Sequence, residues 1–549
     1  RQRQMCIRDR LYNAEVVVTA DGMVVDSLTE QFGIRSLEFS PEFGFKLNGK
    51  KIFLQGNANH HDLGALGATC YDKAIERMML QLKSFGYNCI RCSHNPYSDS
   101  FARIADRVGM LVVDELTDKW SDNDYWGGRQ PFTHIWHKLI TEWIKRDRNR
   151  PSIILWSLGN ELQIREGWAG FEGTNDWGIT TYNIFNQLVK RWDNTRLTTV
   201  AMFPARAGAI TRHDKEFNDY LVPPELACAT EVASFNYQSD KYDAYLKYRP
   251  DLILFQSEAE TSNLLQPYYN MDKERMVGIA YWGSVEYWGE SNKWPKKGWN
   301  YSFFEHTMRP YPQAYLIKTA FMPEIPEVHI GVVDAAGAES VNWNDVIVGR
   351  MALNECWNHT PGSRRSLFTF TNAHSVELLV NGQSMGIQKN DTTRANLRNM
   401  IYWKDVPYGN GGSVVAIARD KSGKEVARHR IETAGKAVAL RIEAETPTDW
   451  KADGMDLQYI NVTVIDKKGR PVWDYNEPLT LQMEGAARLV ALDNGDHYTD
   501  ELFHGITSKR MYQGRMQIIL RSDQEAGNVT VKISSAGLKG TLRLKTIKE

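Results

Sequence analysis

The chain has 549 residues, too many for one hydrophobic core, and a prior of about 150 residues per domain suggests three or four units. Its 66 basic and 67 acidic residues leave a net charge of −1 with no acidic or basic block, which argues against nucleic acid or an anionic membrane surface as a partner. No apolar run reaches the roughly 18 residues that a membrane span needs.

Residues Arg1 to Arg10 are polar and basic, unlike a signal peptide or a packed strand, and read as a foreign leader on a chain that has lost its N-terminal part. Residues 11 to about 35 read as the remnant of a β domain with a turn at Asp21-Gly22, and Glu38 to Lys50 as a hairpin turning at Asn48-Gly49. Strands and helices then alternate. Strands are expected at Lys51 to Gly56, Cys89 to Cys92, Met110 to Asp114, Ile153 to Gly159, Leu197 to Met202, Val232 to Phe235, Leu252 to Phe255 and Val277 to Tyr281. Helices are expected at Asp72 to Phe85, Asp99 to Val108, Trp136 to Arg146 and Asp176 to Trp192. Eight strands in βα order are the signature of a (β/α)8 TIM barrel.

Beyond a Pro-containing stretch from Pro310 to Pro326 the period changes to two. Ser366 to Thr371, Ser375 to Val380, Ser413 to Ala418 and Glu425 to Ile431 read as strands of a β-sandwich. A break near Ala434-Gly435 opens a second all-β unit, with strands near Leu440 to Ala444, Tyr459 to Ile465, Leu479 to Met483, Met516 to Leu520 and Asn528 to Ile533. The expected division is a leader and β remnant over 1–35, a catalytic barrel over 36–322, a β-sandwich over 323–435 and an immunoglobulin-like β-sandwich over 436–549.

Two apolar runs each stop at a carboxylate: Ile153 to Gly159 leads to Glu161, and Leu252 to Phe255 leads to Glu258. A lone Glu after a strand is usually a solvated charge or a helix-cap acid. Two of them, ending strands 4 and 7 of a barrel, sit on the C-terminal face where barrel chemistry occurs, and paired carboxylates cleave glycosidic bonds. Glu260 lies two residues beyond Glu258 and remains the alternative for that position; Glu258 is closer to the end of the apolar run. Other strand ends add His60, Arg91, His94, Asn160, Tyr237 and Trp282, a polar and aromatic mouth of the kind that binds sugars. Cys89 and Cys92 lie three apart on one strand and so face opposite ways, which argues against a zinc knuckle or redox motif there.

The strings Gly56…His60-His61-Asp62, Arg91-Cys92-Ser93-His94-Asn95-Pro96, Val113-Asp114-Glu115 and Ser157-Leu158-Gly159-Asn160-Glu161 together resemble glycoside hydrolase family 2, the β-galactosidase and β-glucuronidase family, from about Phe32 to Ala320. The resemblance implies an exo-acting retaining β-glycosidase with Glu161 as acid/base and Glu258 as nucleophile. It also implies that Arg91 and Tyr237 contact the nucleophile, that Asn160 binds the sugar 2-hydroxyl, that His60 and His94 bind sugar hydroxyls, and that Trp282 stacks under the ring. The string His60 to Gly67 resembles the β-galactosidase branch. The segment Pro295-Lys296-Lys297-Gly298 resembles the β-glucuronidase carboxylate grip with its Asn replaced, so β-galactosidase comes first and β-glucuronidase second. Some family members use divalent or sodium ions near the acid; no complete ligand set transfers to this sequence, and no cofactor or metal is assigned. The resemblance further implies an oligo- or polysaccharide substrate and a periplasmic or secreted bacterial location, and it allows a homo-oligomer. A reading of another class is a non-catalytic carbohydrate-binding scaffold, against which the intact Glu161 and Glu258 argue.

Overall fold

A computed structural model describes residues 11–120, 131–162, 178–203, 222–260, 265–291, 294–334, 339–343 and 346–548; the leader Arg1 to Arg10 lies outside them. The chain forms two compact units, the first of residues up to 61, 82–260 and 266–282, the second of 62–81, 261–265 and 283 onward.

The first unit holds a closed barrel of parallel strands: Leu54–Asn59, Cys89–Cys92, Leu111–Glu115, Ile153–Asn160, Leu197–Met202, Val232–Asn236, Leu254–Ala259 and Gly278–Trp282, numbered here as barrel strands 1 to 8. Strand 8 closes on strand 1, with Gly278 opposite Leu54 and Trp282 opposite Ala58. The closure requires a glycine, because a Cβ on Gly278 would lie 2.4 Å from Leu54 Cβ. Strands 2, 3, 4, 6, 7 and 8 are buried along their whole length, so they read as near-continuous apolar runs rather than alternating ones.

Helix Asp99–Val108 shows how the sequence sets the outer layer. Ser98 accepts the Phe101 N–H at its start, a cap worth about 1 kcal/mol, and Gly109 ends it in the left-handed region. Its buried Phe101, Ile104, Ala105 and Val108 recur at helical spacing. Ahead of the barrel, Leu11–Ala20 and Met23–Gly33 pair antiparallel across Asp21 (φ 52°) and Gly22 (φ 78°), a turn that needs positive φ at both positions. The expected hairpin at Glu38 to Lys50 is a three-stranded sheet, and Asn48-Gly49 forms its second turn.

The second unit carries two β-sandwiches. Sheets containing Val328–Val333 and Ser375–Val380 share a core of Ile330, Trp357, Leu367, Leu378, Trp403 and Val414. Sheets containing Leu457–Asp466 and Pro478–Gly485 share one of Trp450, Ile460, Leu481, Ile518 and Val531. Sequence period missed Gln383–Lys389, every residue of which is exposed, including Met385 and Ile387 on one face. Among the described residues no helix is long and apolar enough to cross a membrane.

Candidate active site

The two ends of the barrel use ionic residues differently. At the N-terminal end Arg196 bonds Asp193 Oδ2 and the main-chain oxygens of Ile153 and Arg150, while Asp106 accepts the Ser152 N–H, so these charges fasten strand starts and loops. At the C-terminal end, charged side chains from strands 2, 3, 4 and 7 converge on one another.

Arg91, on strand 2, is the hub and is 1% exposed. Its Nη1 donates to Glu258 Oε1 at 2.6 Å, its Nη2 to Glu115 Oε2 at 2.8 Å and to Asn160 Oδ1 at 2.9 Å. Both carboxylates hold the guanidinium charged against the cost of burial. Burial alone would raise the Glu115 carboxyl, but Arg91 and His94 bring it below its ordinary value, and Ser157 Oγ donates to it at 2.6 Å. His94 Nδ1 lies 2.6 Å from Glu115 Oε1, and its Nε2 lies 3.7 Å from Glu258 Oε1.

Glu258 sits inside strand 7, which runs to Ala259 instead of ending at Phe255. The strand register slips on both sides of Glu258, between Phe235 and Asn236 on strand 6 and between Gln256 and Ala259 toward strand 8. Such a bulge re-aims side chains next to an active site. Glu260 falls outside the strand and is only half-buried.

Glu161 follows strand 4 directly, with φ at +50°, a left-handed conformation that a non-glycine residue adopts only when its surroundings enforce it. Here the Glu161 N–H donates to Ala201 O at 2.7 Å, and Asn236 Nδ2 donates to Glu161 Oε1 at 3.0 Å. Burial, and next the charge of Glu258, push the Glu161 carboxyl up to about 8, against smaller opposing effects of Lys119 and Asn236. Two buried carboxyls therefore stand in opposite surroundings: one is bonded to a guanidinium, the other is raised by burial and by the charge of its neighbour.

Of the residues singled out in sequence, Arg91, His94, Asn160, Glu161 and Glu258 form this one network. Asn160 is enclosed in it, accepting from Arg91 and Asn236 and donating to Asp118 Oδ1 at 3.0 Å. Trp282 is 3% exposed and stacks on His94 with ring centres 5.2 Å apart, while His60 meets both rings edge-on and bonds Ser93 O through Nδ1 at 3.1 Å. Tyr237 meets Glu258 through the main chain, its N–H donating to Glu258 O at 2.8 Å. Sequence reasoning gave no individual role to Glu115, Asn236, Asp118 and Lys119. The first two end strands 3 and 6, and that position was the available signal. Asp118 would be raised by burial, yet His94 and Lys119, whose Nζ lies 2.7 Å away, bring it down.

Residues 42–274 match the profile described as glycosyl hydrolases family 2, TIM barrel domain; residues 440–542 match glycoside hydrolase family 2 C-terminal domain 5; residues 362–427 match a domain of unknown function (DUF4982). β-Galactosidase BoGH2A of Bacteroides ovatus is 27% identical, over 96% of this chain and 65% of its own length. A β-glucuronidase of Bacteroides fragilis is 23% identical, over 74% of this chain and 57% of its own length. The crystal structure of a glycosyl hydrolase family 2 member from Bacteroides cellulosilyticus superposes with a TM-score of 0.85 at 28% identity, covering 98% of this chain and 68% of that one. The chain thus spans less than two thirds of these two curated relatives.

Proposed function

Because this chain belongs to glycoside hydrolase family 2, we propose that it is a retaining, exo-acting β-glycosidase, with Glu161 as acid/base and Glu258 as nucleophile. The observation that carries the proposal is the opposite setting of the two carboxyls. A guanidinium 2.6 Å from Glu258 Oε1 favours a carboxylate, and burial beside that carboxylate keeps Glu161 protonated up to about pH 8.

The chemistry follows from those states. Glu258 attacks the anomeric carbon while Glu161 delivers its proton to the departing glycosidic oxygen, leaving a glycosyl ester. Glu161, now ionised, takes a proton from water, whose oxygen attacks the same carbon and frees Glu258. Charge is balanced throughout by Glu115. Arg91 is bonded to Glu258 and Glu115 together, so when Glu258 becomes an uncharged ester, Glu115 at 2.8 Å still compensates the buried guanidinium. Asn236, donating to Glu161 Oε1 and to Asn160 Oδ1, holds the acid in position.

The preferred substrate is a terminal β-galactoside. Among the described residues the network's cations Arg91 and Lys119 are paired with carboxylates of this chain, which favours a neutral sugar over a uronate.

A 2-fluoro galactoside with a good leaving group tests the mechanism. The fluorine destabilises the oxocarbenium-like transition state of ester hydrolysis, so the sugar should remain attached and peptide mapping should find it on Glu258. A label on Glu260, or full activity with no trapped sugar, overturns the assignment. Turnover of an aryl β-glucuronide but not of the β-galactoside would move the substrate to the second reading.

A further inference from the structure

Glu286, His306 and His497 meet in the second unit. All three are buried, and one donor atom from each lies within 4.8 Å of the others. His306 Nδ1 and His497 Nδ1 each lie 3.1 Å from Glu286 Oε2. Ligand atoms at 2.0–2.1 Å around a tetrahedral zinc ion stand about 3.3 Å apart, so both measured edges suit one.

The hydrogen-bond pattern fixes which atoms face inward. His306 Nε2 lies 2.9 Å from Asp493 Oδ1 and its Nδ1 3.1 Å from Glu286 Oε2, so Asp493 holds a proton on Nε2 while a metal ion would take the place of a proton at Nδ1. A carboxylate that orients a histidine from its far side is the usual support of a histidine–metal bond. Glu286 is anchored through its other oxygen, which accepts from Tyr311 OH at 2.6 Å. Trp288 covers the cluster with its ring centre 4.5 Å from that of His306 and 5.0 Å from that of His497. Two imidazoles and a carboxylate this close call for positive charge among them, carried by a proton on His306 or by a metal ion in its place. Beside the cluster, His497 lines a cleft of about 760 Å³ together with Asn300, whose buried Oδ1 has no hydrogen-bond partner among the described residues.

We propose that Glu286, His306 and His497 bind a divalent transition metal of the zinc class, with Asp493 as the positioning partner of His306. Two imidazoles and one carboxylate form a borderline nitrogen/oxygen set that suits zinc better than calcium or magnesium. The comparable trio His329, Glu355 and His429 is not such a site. His429 Nδ1 already accepts the Ile330 N–H at 3.0 Å, and its ring lies against His329 at 4.0 Å.

The test uses the whole chain, stripped with a chelator, loaded with zinc and dialysed. Elemental analysis should find about one zinc per chain, and zinc should raise the thermal midpoint of the stripped protein, as a ligand specific for the folded state does. His497→Gln should lose both effects, Asp493→Asn should weaken binding about 10- to 100-fold, and His429→Gln should change neither. Cobalt in place of zinc should give the visible bands of a tetrahedral site in the wild type and in His429→Gln. Wild-type protein that retains only traces of zinc and shows no rise in midpoint overturns the proposal, and leaves the cluster an imidazolium ion pair. Zinc lost from His429→Gln but kept by His497→Gln overturns it equally, as does zinc held alike by all variants.

Discussion

Replacing Glu161 with Gln should abolish acid catalysis and at the same time stabilise the fold, by an amount that pH controls. The native carboxyl titrates near 8, against 4.5 for an ordinary glutamate. Below about pH 4.5 the folded and unfolded states both hold the proton, and nothing is lost. Between that value and about 8 the native state keeps its proton while the unfolded chain releases it, so native stability falls by about 1.4 kcal/mol for each pH unit. At pH 7 the accumulated loss is about 3 kcal/mol, and it levels off above about pH 8. Gln keeps the acceptor for Asn236 Nδ2 and carries no titrating proton, so it removes that loss.

Urea unfolding followed by tryptophan fluorescence, at about pH 4.5, 6 and 8, measures the difference between Glu161→Gln and the wild type. The variant should match the wild type at the lowest pH and gain steadily above it, up to the order of 3 kcal/mol near neutrality. In a Glu258→Gln background the gain should shrink, because the neighbouring carboxylate is the second-largest cause of the raised value. A difference that stays flat with pH, or a variant less stable than wild type at pH 7, would refute the argument that burial and the neighbouring carboxylate tune this residue. Stability given up at a catalytic position is a common trade.

Arg91→Met should strand Glu115 and Glu258 without their guanidinium and cost on the order of 3–5 kcal/mol, read as a lowered thermal midpoint; an unchanged midpoint would show that the pair is not charged. The specificity constant for an aryl galactoside should fall above about pH 8 as Glu161 loses its proton, and Lys119→Met should move that limb upward because Lys119 holds the Glu161 value down. Glu161→Gln should spare the first step for activated aryl glycosides while stopping turnover of poor leaving groups; equal losses for both would remove it as the acid. Trp282→Ala should lower the specificity constant by the equivalent of about 1–3 kcal/mol, as His94 loses the indole on which it stacks; no change would make Trp282 ordinary core.

The barrel was legible in sequence because parallel strands covered on both faces are written as apolar runs, and because chemistry in this architecture gathers where such runs end. The end of strand 7 was not legible for the same reason. Gln256, Ser257 and Glu258 look like a loop by hydropathy, yet they continue the strand, since Tyr242 OH donates to Gln256 Oε1, Ser257 Oγ bonds Asn236 and Arg91 bonds Glu258. Polar residues belong inside a barrel when their partners arrive from other strands, and no local window contains those partners. The same blindness separates the two ends of the barrel. Arg196 with Asp193 and Arg91 with Glu258 are alike as residue types, both buried and both in close contact. What distinguishes them is the neighbour: Arg196 also serves two main-chain oxygens, whereas Arg91 reaches a second carboxylate beside a third carboxyl that burial and Glu258 keep protonated. Buried charge that is matched only fastens the fold, and charge deliberately left over by one proton is what a glycosidase needs.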